Sequence, residues 1–257
     1  MDLQGKIALI TGGGKGLGRE ISRCLAQKGA NLVLVARDKD SLEILAEEVK
    51  LFGGKALVCP GDISQEIVVE KSVQKALDSF GKIDILVNNA GIMGPNDPIK
   101  DINLKDWERT ISVNLTSSFL YIKNVIPIMT KFKCGSIINI SSLSGVKGVM
   151  NRSPYCASKW AMIGMSKAVA QEVGQYNIRV NVVCPGAVEG ERINQVINKR
   201  AKDHNISYEE MIEKTIEDTP LRRMVSPGEV ASVVAFLASD NSSGITGEEI
   251  VVSAGRR

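Results

Sequence analysis

The sequence predicts an α/β fold, one doubly wound parallel sheet with helices on both faces. Two observations predict it. Short apolar runs alternate with longer segments of helical period through most of the 257 residues, the signature of repeated βαβ units. Those runs, Ile-Ile-Asn-Ile at 137–140 and Val-Asn-Val-Val at 180–183 among them, are continuously apolar rather than alternating. Strands covered on both faces need that pattern, whereas a half-exposed antiparallel sheet would alternate. No internal repeat, low-complexity tract or linker interrupts the chain, so a single domain over 1–257 is expected.

Taken in order, strands are predicted at 7–11, 31–36, 55–59, 83–88, 136–140, 179–184 and 249–252. Helices fall between them at 17–28, from 41 onward, and at 66–80, 107–131, 155–176 and 227–239. Ile21 and Leu25 show the four-residue spacing of a buried helical stripe. Asp40 with Glu43 three residues on resembles a capping box. Ser226, Pro227 and Glu229 supply an N-cap, a first-turn proline and an N3 acid. The stretch 186–219 is the weakest pattern, polar and helix-prone over 208–217, and reads as an excursion covering a substrate site.

Composition narrows the function. Charged residues make up 24% of the chain and the net charge is +3, which leaves no broad basic face for nucleic acid. The five cysteines (Cys24, Cys59, Cys134, Cys156, Cys184) form no Cys-x-x-Cys pair, and His204 is the only histidine; no metal site is expected. Unpaired thiols suit a reducing compartment. The start, Met1-Asp2-Leu3-Gln4-Gly5-Lys6, carries no apolar signal core, and no run approaches membrane-spanning length. A cytoplasmic protein acting on a small molecule, with no membrane or nucleic-acid partner, is the expectation.

Thr11-Gly12-Gly13-Gly14-Lys15-Gly16-Leu17-Gly18 joins the first strand to the first helix. Glycines there let backbone N–H groups approach a pyrophosphate at the positive end of the helix. The spacing is Gly-x-x-x-Gly-x-Gly, and a merely flexible turn is the alternative. An NAD site usually places an acid at the end of the second strand for the ribose 2′-hydroxyl. Here Ala36 stands in that place and Arg37 follows. A guanidinium grips a 2′-phosphate that an acid would repel, and Lys15 adds a second cation. NADP(H) is therefore expected over NAD(H); two ordinary surface cations are the alternative.

Tyr155 and Lys159 lie four residues apart at the start of a helical stretch, so both project from one face. An ammonium favours the phenolate of a neighbouring tyrosine, whose ordinary pKa is about 10. A phenol so tuned gives a proton to a carbonyl oxygen, or takes one from an alcohol. Ser142 follows a strand and is placed to orient the substrate oxygen. Taken alone, a Tyr–Lys pair at this spacing is usually a packing or surface feature.

Jointly, Thr-Gly-x-x-x-Gly-x-Gly (11–18), Asn-Asn-Ala-Gly (88–91), Ser142, Tyr-x-x-x-Lys (155–159) and Pro185-Gly186 resemble the short-chain dehydrogenase/reductase family in order and spacing. The resemblance spans most of the chain and is strong to the 3-oxoacyl-(acyl carrier protein) reductases in the first half. It implies a seven-stranded Rossmann sheet and a homotetramer or homodimer built on the helices at 107–131 and 155–176. It implies an NAD(P)-dependent enzyme moving a hydride between nicotinamide and a carbonyl or alcohol. Carried over residue by residue, Tyr155 becomes the acid/base and Lys159 the holder of the nicotinamide ribose. Ser142, chosen over Ser141 by its thirteen-residue spacing to the tyrosine, binds the substrate oxygen. Asn114 holds a water linking Lys159 to solvent. Gly12, Gly14, Lys15, Gly16 and Leu17 surround the phosphates, and Arg37 the adenosine end. Asp62 and Ile63 meet adenine, Asn89 the adenosine ribose side, and Val188 the nicotinamide amide. One departure is the end: Val252-Ser253-Ala254-Gly255 stands where many members have a Val-Asp-Gly-Gly-like segment.

Arg152, three residues before the tyrosine, and Arg192, in the excursion, border the expected substrate pocket, with Lys147 near. Convergence on an anionic substrate group and pairing with Glu189 and Glu191 on the rim are both open. Few aromatics argue against a flat polycyclic substrate. Lys131, Lys133 and Arg152 are candidates for a carrier-protein docking patch. The leading expectation is a small, optionally anionic, hydroxy or oxo compound. The alternative is a 3-oxoacyl-(acyl carrier protein) or 3-oxoacyl-CoA reductase, and the remote one a catalytically silent nucleotide-sensing regulator.

Overall fold

In the computed structural model, which describes residues 3–256, seven strands form one parallel sheet in the order β3-β2-β1-β4-β5-β6-β7. The strands are β1 (Ile7–Thr11), β2 (Asn31–Ala36), β3 (Ala56–Pro60), β4 (Ile85–Asn88), β5 (Gly135–Ile140), β6 (Ile178–Pro185) and β7 (Glu249–Val252). Met1, Asp2 and Arg257, which the reading of the two ends touched, lie outside the described residues.

Alternate residues of each strand feed two apolar layers, the consequence of a period of two in a sheet buried on both faces. Ala8 and Ile10 join the layer under α1 (Gly16–Gln27), α2 (Lys39–Leu51) and α9 (Pro227–Ala238). Ile7 and Leu9 join the opposite layer under α3 (Glu66–Phe80), α5 (Ser117–Phe132) and α6 (Ser153–Val173). The order reverses between β1 and β4, which opens a crevice at the C-terminal ends of those strands. The glycine loop, the Asn-Asn-Ala-Gly segment, Ser142 and Pro185 all stand at that edge.

Four local expectations are corrected. α2 starts at Lys39, so Asp38 caps it by accepting from the Ser41 N–H, and Asp40 falls inside the first turn. The predicted helix at 107–131 is two helices, α4 (Leu104–Ile111) and α5, joined by a π turn over Ser112–Thr116. The extra residue in that turn carries no hydrophobic-period signal, because apolar residues continue on both sides of it. The predicted helix at 155–176 starts earlier, at Ser153, and ends in a 3-10 turn, Gly174–Tyr176. The excursion holds two helices, α7 (Glu191–His204) as well as α8 (Tyr208–Ile216). Ile197, Ala201 and Met211 give them a small apolar core of their own. The Ser226–Glu229 capping box forms as expected. At the C-terminal segment Ala254 adopts φ 55°, the left-handed region in which the family's glycine is at ease.

Candidate active site

Glycine is required in the loop after β1 by close approach. A Cβ on Gly18 would lie 2.0 Å from the Gly12 carbonyl oxygen, and one on Gly14 would lie 2.4 Å from Ser41 Oγ. Asn89 holds the loop from below: its side-chain amide donates to the carbonyls of Thr11 (3.0 Å) and Gly12 (3.2 Å), while Thr11 Oγ1 accepts from the N–H groups of Asn89 and Ala90. With both amide hydrogens committed, the Asn89 side chain supports the loop. The N-terminus of α1 has no side-chain cap, so its first-turn N–H donors are left for an external acceptor.

Lys15, in the same loop, is ion-paired to Asp38 at 2.5 Å. That contact raises the Lys15 pKa and lowers that of Asp38. Both groups are open to solvent, and such exposed pairs exchange readily. Arg37 is exposed at the end of β2, and among the described residues no carboxylate pairs with it. Asp62 is held by Ser64 and Arg109: one oxygen accepts from the Ser64 N–H and hydroxyl, the other from Arg109 at 2.8 Å. Burial works to raise its carboxyl, and these hydrogen bonds together outweigh burial and hold it below the usual range. Ile63 turns its side chain into the core. Arg109, from α4, has no motif that would have announced this role.

Lys159 is 3% exposed. Its ammonium donates to the Ile140 carbonyl at 2.7 Å, which uses one of three N–H donors. Burial, and after it the charge of Arg192, pulls its pKa down from 10.5 to about 7. The ammonium lies 5.9 Å from the centroid of the Tyr155 ring, as helical i, i+4 spacing provides. No hydrogen bond occupies the Tyr155 hydroxyl among the described residues. Gly91 brings a third element in: a Cβ there would sit 3.2 Å from Asn114 Oδ1 and 3.6 Å from Lys159 Nζ. Asn114, fully buried in the π turn, accepts from the Ile92 N–H and donates to the Ile92 carbonyl and Ser158 Oγ. Its amide hydrogens are thus spent on clamping β4 to α6, and only acceptor capacity is left for a water.

The geometry separates the two serines after β5. Ser141 is 4% exposed and donates to the Lys159 carbonyl at 2.9 Å. Ser142 is half-buried, accepts from the Ser144 N–H at 3.1 Å and keeps its own hydrogen to donate. Gly145 lets this loop meet α6, since a Cβ there would lie 2.4 Å from Ser141 Oγ and 2.9 Å from the Lys159 carbonyl. Val188 forms a parallel bridge with Val225 through the flanking groups, the Ala187 carbonyl and the Glu189 N–H. That leaves the N–H and carbonyl of Val188 itself unpaired among the described residues, a donor and an acceptor suited to a carboxamide.

Of the two substrate arginines, Arg152 stacks on the Tyr155 ring, with its guanidinium carbon 5.0 Å from the centroid. Arg192 donates to the Gly91 carbonyl. Pairing with the rim acids does not occur among the described residues: Glu191 accepts from Gln195 and Arg223 pairs with Glu229. The docking patch also fails to assemble. Lys131 and Lys133 end α5 ahead of β5, whereas Arg152 follows it, and six extended residues separate those two edges by about 17–20 Å. Among the described residues no helix is long and apolar enough to cross a membrane, and no group of three or more His, Cys, Asp or Glu side chains is set to hold a metal ion.

A family model described as enoyl-(acyl carrier protein) reductase matches residues 12–257. The chain is 36% identical over 255 residues to the 3-oxoacyl-[acyl-carrier-protein] reductase FabG of Thermotoga maritima, covering 99% of both chains. The chain belongs to the short-chain dehydrogenase/reductase family. Solved short-chain dehydrogenase/reductase structures match its whole length. An NAD+-bound xylitol dehydrogenase superposes with a TM-score of 0.94 at 32% identity, covering 99% of this chain and 100% of that one. The L-sorbose reductase of Gluconobacter frateurii, complexed with NADPH and L-sorbose, gives 0.93 at 31% identity, covering 99% and 97%. As a short-chain dehydrogenase/reductase the chain is an oxidoreductase acting on CH–OH groups or the corresponding carbonyls.

Proposed function

We propose that this chain is a nicotinamide-dependent reductase or dehydrogenase of a small hydroxy or oxo compound, with Tyr155 as its proton-transfer group. The observation that carries the proposal is the Tyr155 hydroxyl, without a protein partner among the described residues, on the same helical face as a buried ammonium 5.9 Å from its ring. The residues present fit the cofactor. The uncapped α1 N-terminus and the glycine loop accept a pyrophosphate. The two unused N–H donors of Lys159 suit a ribose diol, and the free backbone groups of Val188 suit a carboxamide. When bound, the nicotinamide supplies or accepts the hydride. Tyr155 gives its proton to the substrate oxygen in reduction and takes it back in oxidation. Ser142 donates a hydrogen bond to that same oxygen and fixes the face presented. The Lys159 ammonium, in its protonated form, favours the phenolate that remains.

Arg37, with Lys15 released from Asp38, favours NADPH over NADH; the exposed Lys15–Asp38 pair is worth too little to oppose a 2′-phosphate. One Rossmann domain spans the chain, and 186–219 covers the substrate. Exposed Leu104, Phe119 and Trp160 on α4, α5 and α6 support a homodimer or homotetramer on those helices, in the cytoplasm. A 3-oxoacyl thioester is the second reading, favoured by the 36% identity to a carrier-protein reductase and disfavoured by the split of its docking lysines from Arg152. The test is Tyr155→Phe. NADPH affinity by fluorescence titration stays within about threefold while kcat falls by about 10²–10⁴. Retained turnover would overturn the assignment.

A further inference from the structure

Arg152 lies on the Tyr155 ring, the charges of Arg192 and Arg200 both act on it, and among the described residues no carboxylate pairs with any of the three. Arg152 is half-buried on that ring. Burial, and then the charges of Arg200 and Arg192, press its ionisation down, and only Tyr155 and Cys156 act the other way. Arg192 and Arg200 sit eight residues apart on α7, about 80° round the helix from one another, so one broad face presents both. No ion pair reaches any of the three among the described residues, whereas Arg19, Arg23, Arg109, Arg223 and Arg256 each meet an acid. The acids nearest Arg192 in sequence look elsewhere, the charge of Glu191 acting on Lys15 and that of Glu189 on Arg223, and Asp203, three residues beyond Arg200 on α7, forms no ion pair with it among the described residues. Both neighbouring charges repel the Arg152 guanidinium, which, being half-buried, has lost part of the water that would screen it. The cofactor's 2′-phosphate end is expected at Arg37, just past β2, and β2 lies three strand positions, about 14 Å, from β5, whose C-terminal end leads to Arg152.

We propose that Arg152 and Arg200, with Arg192 at their edge, bind an oxyanion terminus of the substrate, a carboxylate, sulfonate or phosphate, held away from the carbon that reacts at Tyr155. The inference rests on the oxidoreductase reading above and deepens it: the substrate is a small hydroxy or oxo compound ending in such a group. Arg200, which no motif marks, becomes a specificity-determining residue. Arg152 binds from the Tyr155 side, and its stack on the ring keeps the guanidinium plane in place for a bidentate contact.

The test uses the full chain saturated with NADPH, so that the cofactor's own phosphate sites are filled. Isothermal titration with inorganic phosphate, sulfate and acetate measures the site directly and separates the three oxyanion classes. At least one binds the wild type, and Arg200→Met and Arg152→Met each weaken it by tenfold or more, with Arg200→Lys recovering part of the loss. In kinetics, with NADP+ in place of NADPH as the hydride acceptor, oxidation of glycerol 3-phosphate, 2-hydroxyethanesulfonate and 3-hydroxypropanoate is compared with that of propane-1,2-diol and 1-propanol. The ratio of anionic to neutral kcat/KM favours an anion in the wild type and falls at least tenfold in Arg200→Met. Absence of anion binding to the wild type, or equal binding by the variants, overturns the proposal. Should a neutral alcohol be oxidised in a Tyr155-dependent way with no anion bound, only this inference falls. Failure to bind either NADPH or NADH removes the nicotinamide-dependent reading on which this inference rests.

Discussion

Replacing Lys159 by Met should change how folding stability responds to pH. The ammonium is 3% exposed with a single carbonyl partner, and its pKa falls from 10.5 to about 7. That gap corresponds to about 5 kcal/mol of cost for keeping the charge inside the folded chain. Because the folded pKa is lowered, the sign is fixed. Below pH 7 folded and unfolded chains are both protonated and the whole cost is borne. Between pH 7 and 10.5 the unfolded chain binds the proton that the folded chain has released, so stability rises toward alkaline pH. Integrated from pH 6 to pH 9, the wild type gains about 2–3 kcal/mol relative to Lys159→Met. Urea unfolding of both proteins without cofactor, followed by circular dichroism at pH 6, 7, 8 and 9, measures the difference. The gain is to be read as wild type minus variant, which cancels other titrating groups. A difference that stays level across this range would refute the reasoning, because it would mean that Lys159 keeps an ordinary pKa in the fold.

Arg37→Ala should lower the ratio of kcat/KM for NADPH to that for NADH by about 10–100-fold, the worth of one charge-assisted hydrogen bond; steady-state kinetics with both cofactors decides it. Gly18→Ala puts a Cβ 2.0 Å from the Gly12 carbonyl, so the loop must shift. The expected cost is about 2 kcal/mol in urea unfolding, with at least tenfold weaker NADPH binding. The two serines should separate by readout. Ser141→Ala loses the bond to the Lys159 carbonyl and lowers Tm by about 2–4 °C. Ser142→Ala leaves Tm nearly unchanged and lowers kcat by about 10²–10³, as loss of one oxygen-binding donor does.

Much of the site was legible because it depends on backbone geometry that only certain residues permit. The glycines of 11–18 are read from sequence as a loop and are required in space by contacts as close as 2.0 Å. Tyr155 and Lys159 share a face because helical period brings residues four apart together. Where reading stopped short, long-range packing decided. Asn89 and Asp62, expected at the cofactor, also tie the site together through Thr11, Gly12, Ser64 and Arg109, partners that no local pattern announces. Lys131, Lys133 and Arg152 are close enough in sequence to suggest one patch, yet a strand carries them to opposite edges of the sheet.

By itself, then, the chain's alternation of apolar runs and helical segments determined a parallel sheet and its strand positions, while its glycines marked a tight loop after β1 and helical spacing put Tyr155 and Lys159 on one face. These follow from local periodicity and from residue types whose chemistry acts over one turn or one strand. Tertiary structure decided which charges have partners. Lys15 meets Asp38, Arg109 meets Asp62, and Arg152, Arg192 and Arg200 meet no acid among the described residues. The physical reason is that an ion pair depends on separation in space, and residues 47 apart, such as Asp62 and Arg109, acquire a distance only when the sheet closes.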